Sequence, residues 1–148
     1  MKKPLAVAAT LAVVLSLGLA ACGGDDSSDE TLSNSELIAQ ADQICTDYNE
    51  QLDTMNEEAA LDENSSRQEI ATYISDELVP LYQEQVDELR SLNPNEEDAA
   101  AYNDIVDTLD SELQAVADDP EAAIDMEDPF AGATAKAQDF GLEVCGSN

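Results

Sequence analysis

The stretch Ser33-Asn34-Ser35-Glu36-Leu37-Ile38-Ala39-Gln40-Ala41-Asp42-Gln43-Ile44-Cys45-Thr46-Asp47-Tyr48 decides the fold class. Ser33 and Glu36 have the Ser-x-x-Glu spacing of a capping box, which marks a helix start. Behind it Leu37, Ala41, Ile44, Tyr48, Leu52 and Met55 recur at three- and four-residue steps, the apolar face of an amphipathic helix. The pattern fades near Ala60, ahead of Asp62-Glu63-Asn64.

The same grammar repeats downstream. Either Ser65-x-x-Gln68 or Ser66-x-x-Glu69 opens a second helix, with a seam of Ile70, Ile74, Leu78, Tyr82, Val86 and Leu89 that stops at Asn93-Pro94. Pro80 lies inside it and has no N–H to offer the Asp76 carbonyl, so a kink is expected there. Asn95 caps a third helix, with Glu96, Glu97 and Asp98 where the helix dipole favours negative charge. Its seam is Tyr102, Ile105, Leu109, Leu113 and Val116. After Asp118-Asp119-Pro120 there is room for one or two helical turns over 121–126. Asp128-Pro129 then reads as the N-cap and first residue of a last helix. Phe130, Ala133, Ala137 and Phe140 give its stripe, and Gly141 is its natural stop. No segment alternates with period two in β-branched residues, so no strand is expected. The reading is all-α: an up-down helical bundle of about four helices over residues 33–148.

Working outward to the N-terminus, residues 1–21 form a separate unit. Lys2 and Lys3 precede an apolar run from Leu5 to Leu19, broken only by Thr10, Ser16 and Gly18. At about 15 residues it falls short of the roughly 20 that span a bilayer, and it reads as a secretory signal. Leu19-Ala20-Ala21-Cys22 resembles a bacterial lipobox. That resemblance implies cleavage between Ala21 and Cys22 and a diacylglyceryl thioether on Cys22. The plainer alternative is an ordinary signal peptide cut near Ala20-Ala21. Two acyl chains suffice for stable membrane anchoring. Residues 22–32 then comprise the lipidated cysteine and a disordered acidic tether, on the order of 30 Å when extended. The protein is thereby expected on the outer face of the bacterial cytoplasmic membrane.

The 148-residue chain carries 34 Asp and Glu against 5 Lys and Arg, and no His. Without His, triads, dyads and zinc or haem centres that depend on it are excluded. Beyond residue 21 only Arg67, Arg90 and Lys136 are cationic, so the net charge there is −31. Such a surface repels nucleic acid and anionic headgroups. The partner it admits is a basic protein or wall polymer.

Apart from Cys22, two cysteines remain, Cys45 and Cys145. Export places them in an oxidising compartment, where a pair is expected to close. Neither has a His or a neighbouring cation to create a reactive thiolate. A bond between them closes 100 residues, worth about 4.7 kcal/mol in the chain-entropy picture. Ala41-Asp42-Gln43-Ile44-Cys45, the proline-interrupted second helix and Gly141-Leu142-Glu143-Val144-Cys145 together resemble a group of small actinobacterial lipoproteins. The resemblance implies an exported helical domain behind a lipobox and brings no activity with it. This chain departs from that group in being more acidic and poorer in Arg.

The densest carboxylate run holds Asp118, Asp119, Glu121 and Asp125, which are candidates for a divalent cation site. The EF-hand pattern is missing, and acids at helix starts are explained by the dipole alone. Tyr48, Tyr73, Tyr82 and Tyr102 lie on or beside apolar seams, fit for core or for a small pocket. No constellation points to an enzyme, and no cofactor is implied. The expected function is a structural or protein-interaction role at the cell envelope, the alternative a cation- or small-ligand-binding lipoprotein. For Cys22, the expected outcome of Cys22→Ala in a bacterial host is loss of labelled-palmitate incorporation and release from the membrane fraction. Retention of label would show that acylation lies elsewhere.

Overall fold

The computed structural model describes residues 31–59 and 61–147. The signal segment, Cys22 and residues 22–30 of the expected tether lie outside them. Six α-helices follow in order: α1 (Asn34–Ala59), α2 (Arg67–Tyr73), α3 (Val79–Ser91), α4 (Ala99–Asp118), α5 (Pro120–Ala123) and α6 (Ala131–Phe140). A π turn, Ile74–Leu78, joins α2 to α3, so residues 67–91 run as the single second helix expected from the seam. The architecture is all-α: α1, α2–α3, α4 and α6 are the bundle members, and α5 is a one-turn connector. No helix among the described residues is long and apolar enough to cross a membrane.

Local chemistry explains the boundaries. The Ser33 N–H donates to Glu36 Oε2 at 3.0 Å, and the Leu37 N–H to the Ser33 carbonyl at 2.9 Å. Of the two alternatives for α2, Ser66 is the cap, forming a full capping box with Glu69. Asn95 Oδ1 accepts from the N–H groups of Glu97 (2.9 Å) and Asp98 (3.1 Å), which closes a turn over 96–98, and α4 starts later than expected, at Ala99 with Asp98 as its N-cap. Gly141 ends α6 at φ 102°, a left-handed value that favours glycine. The last helix starts two residues later than Pro129, because Asp128 closes a short turn with the Phe130 N–H (2.9 Å) first. Its exposed N–H groups are met from another helix: Glu112 on α4 accepts from Gly132 (2.9 Å) and Ala133 (3.0 Å). A Cβ at position 132 would collide with Glu112 Oε1, so glycine is what lets this carboxylate close on the helix start.

At Pro80, where the sequence predicts a kink, the structure has a π turn. The Val79 N–H bonds to the Ile74 carbonyl five residues back, and the ladder widens by one residue just before the proline. The seam that emerges in α3 is wider than the sequence pattern, with Leu81 and Gln85 buried beside Val86 and Leu89.

The core gathers Leu37, Ala41, Ile44 and Cys45 of α1, Val86 and Leu89 of α3, and Tyr102, Ile105, Val106 and Leu113 of α4, with Ala137 and Leu142 closing it. Tyr102 is fully buried and donates to the Leu89 carbonyl at 2.9 Å. Burial pushes its phenol far above the ordinary range, so it stays a neutral donor. Leu32, assigned to the tether from sequence, belongs to the domain. Its N–H donates to the Asn93 carbonyl (2.8 Å), and its carbonyl accepts from the Asn95 N–H (3.2 Å).

Two contacts close the bundle. Cys45 and Cys145 are disulfide-bonded, as expected, with Cα atoms 5.3 Å apart. One helical turn earlier, the Asp42 carboxylate accepts the N–H groups of Glu143 (3.0 Å), Val144 (2.9 Å) and Cys145 (3.2 Å). Asp42→Ala leaves those three donors without their acceptor. It is expected to cost about 2–3 kcal/mol in urea unfolding with the disulfide intact. An unchanged midpoint would show that water replaces the carboxylate freely.

Candidate ligand groove

Along α1 beyond the disulfide, the bundle is less well filled. Along α1, Leu37, Ala41 and Ile44 are buried, whereas Tyr48, Leu52 and Met55 are only half-buried. A groove of about 560 Å³ opens there. Leu52 and Asn56 of α1 form one side, and Ile74, Leu78, Val79 and Tyr82 of the π turn and α3 form another. Leu113 and Val116 of α4 and Ala123, Pro129 and Phe130 of the α5–α6 connection complete the apolar lining. Glu127 and Asp128 stand at its rim, both exposed. The volume lies within the range of ordinary small-molecule sites, which are likewise mostly apolar with few polar groups.

Each wall has a physical origin. Ile74 and Leu78, four apart, would share a face in any helix, and the π turn adds Val79, five residues after Ile74, to the same opening. The α5–α6 connection is held by Arg67, whose Nη1 and Nη2 meet Asp125 Oδ1 (2.9 Å) and Oδ2 (3.0 Å). The same guanidinium donates to the Glu121 carbonyl at 2.8 Å. Hydrogen bonding and charge from Arg67 hold the Asp125 carboxyl below the usual carboxylate range. The bridge is therefore formed above the unfolded carboxyl pKa and is lost as pH falls through the lower folded value.

Tyr82 and Phe130 stack at a centroid distance of 4.9 Å. They also line a second, smaller recess of about 60 Å³, reached by Gln85, Leu89, Tyr102 and Cys45. Burial raises the Tyr82 phenol above its ordinary pKa, so its hydroxyl is neutral near pH 7.

The acidic run does not assemble. Asp125 is engaged by Arg67, and Asp119 caps α5 by accepting from the Ala122 N–H at 2.9 Å. Asp118 and Glu121 are exposed. Among the described residues no group of three or more His, Cys, Asp and Glu side chains is placed to hold a metal ion. The sequence reading missed how Arg67 and the Asp119 cap would divide this run. The tyrosines separate by environment: Tyr102 is core, Tyr73 donates to Asn56 Oδ1 (2.9 Å), and Tyr82 lines the groove. Gln85 escaped notice because it is a polar residue within an apolar seam, and the groove had no signal beyond Pro80 and the tyrosines, of which Tyr82 lines it.

No family model, curated protein or solved structure matches this chain. With its four candidates apart, the domain over residues 23–148 is expected to give no saturable calorimetric isotherm with Ca²⁺ at about 0.15 M salt, where diffuse attraction is screened. A stoichiometric isotherm abolished by Asp118→Asn with Glu121→Gln would overturn this.

Proposed function

We propose that this chain is a lipid-anchored, extracytoplasmic lipoprotein whose helical domain binds a small apolar molecule in the groove at the π turn. The groove is the observation that carries the reading: apolar on three sides, of ligand size, with an aromatic pair at its inner end. The interaction role suggested by the sequence has less support. Among the described residues only Leu61 and Met126 are large hydrophobics that stand exposed, each on a separate connection. Two such side chains do not make an apolar docking patch.

The lipobox supports the membrane attachment, and the position of Leu32 gives it a direction. Leu32 enters the domain beside the α3–α4 turn, whereas Leu52 lies 20 residues further along α1. At 1.5 Å per residue that is about 30 Å of helix. A chain anchored at Cys22 would thus join the domain about that distance from the groove.

Diphenylhexatriene, an uncharged hydrocarbon dye that brightens in apolar surroundings, tests the reading directly. The 23–148 domain is expected to bind it saturably with one-to-one stoichiometry. Leu78→Gln, which sets an amide on the groove floor, is expected to weaken binding on the order of tenfold while helicity is unchanged. No saturable brightening, or equal binding by the variant, would sink the groove as a ligand site.

A further inference from the structure

Gln85 is the only buried polar side chain among the described residues, at 6 % exposure. It sits in α3 between Leu81 and Leu89 on the face that elsewhere carries apolar side chains. No protein group hydrogen-bonds its amide, whose polar atoms are not sealed from solvent, because Gln85 lines the recess behind Tyr82 and Phe130. An amide at this otherwise apolar position adds nothing to the packing that Leu or Met would not supply, and its hydrogen-bonding capacity is turned to the recess. The recess, at about 60 Å³, has room for a few atoms of a ligand. It adjoins the groove directly, since Tyr82 and Phe130 line both.

We propose that the groove takes an uncharged amphipathic molecule, whose apolar body lies against the π turn and whose hydroxyl, amide or ester carbonyl passes Tyr82 and Phe130 to hydrogen-bond Gln85. This deepens the ligand reading above and rests on it. The head group is neutral for three reasons. An amide donates and accepts, which suits a hydroxyl or carbonyl. No Lys or Arg lines either space, and the three cations beyond residue 31 are each paired with carboxylates. Glu127 and Asp128 at the rim repel an acid and would hold a cationic head outside, far from the recess.

Displacement of diphenylhexatriene from the 23–148 domain by decan-1-ol and by decanoate, at pH 7.5 and about 0.15 M salt, separates the possibilities. Decan-1-ol is expected to compete at least tenfold better than decanoate. Gln85→Leu is expected to weaken the alcohol about tenfold, some 1.4 kcal/mol, while binding of the hydrocarbon dye stays within twofold. Equal competition by the two amphiphiles, or an alcohol affinity untouched by Gln85→Leu, would overturn the head-group assignment and leave the groove standing. Absence of dye binding to the unmodified domain would remove both. Gln85→Leu and Gln85→Met are each expected to keep or raise the thermal midpoint. A fall in both would mean that the amide serves the fold, against the proposal.

Discussion

The Asp42 carboxylate is the interaction on which the closed bundle depends. Apart from the disulfide, the first helix would otherwise have little to tie it to the C-terminal segment, because α6 presents mainly Ala133 and Ala137 to the core and buries little area. Three backbone N–H groups converge on Asp42, and the Cys45–Cys145 bond lies one helical turn on. The carboxylate fixes the path of residues 143–145, and the disulfide prevents their escape. Together they turn a row of helices, α1 beside α3, α3 beside α4 and α4 beside α6, into a ring.

The surface charge makes that closure matter. Arg67 joins α2 to the end of α5, Arg90 joins α3 to Asp107 and Asp110 of α4, and Lys136 joins α6 to Asp104. Each cation thus spans two elements and is placed where neighbouring acids would push them apart. Such exposed pairs are individually weak. The stronger closure holds the first half of α1, up to Cys45, and the half-buried side chains lie beyond it. Local stability is thereby graded along the bundle, with the groove at the looser end, where binding elements are commonly found.

Much of this was legible in the residues. The four seams, the caps at Ser33 and Ser66, the Gly141 stop and the disulfide each rest on short-range rules or on compartment chemistry, and a single stretch suffices to apply them. What escaped rests on partners distant in sequence. Asp42 reads as a solvated acid until residues 143–145, about a hundred positions away, are brought to it. Glu112 reads likewise until the start of α6 docks on it. The acidic run at 118–125 looked like a shared site because spacing alone does not reveal that Arg67, 58 residues earlier, claims Asp125. Pro80 announced a disturbance, but whether the ladder kinks or widens is settled by how the neighbouring helices pack. Gln85 interrupted an apolar pattern, and only the recess beside it gives the interruption a meaning.

The scarcity and placement of the cations carry one more consequence, for resistance to proteolysis. A trypsin-like protease cuts after Lys or Arg, and beyond residue 21 this chain offers it three such positions. Every one of them lies in a helix and is tied by its side chain to a second element. A protease needs an extended strand some residues long, so cleavage must wait for a helix to unwind and its ion pair to part. Acidity, usually read as a matter of solubility, here also withholds the chain from a whole class of digestive enzyme.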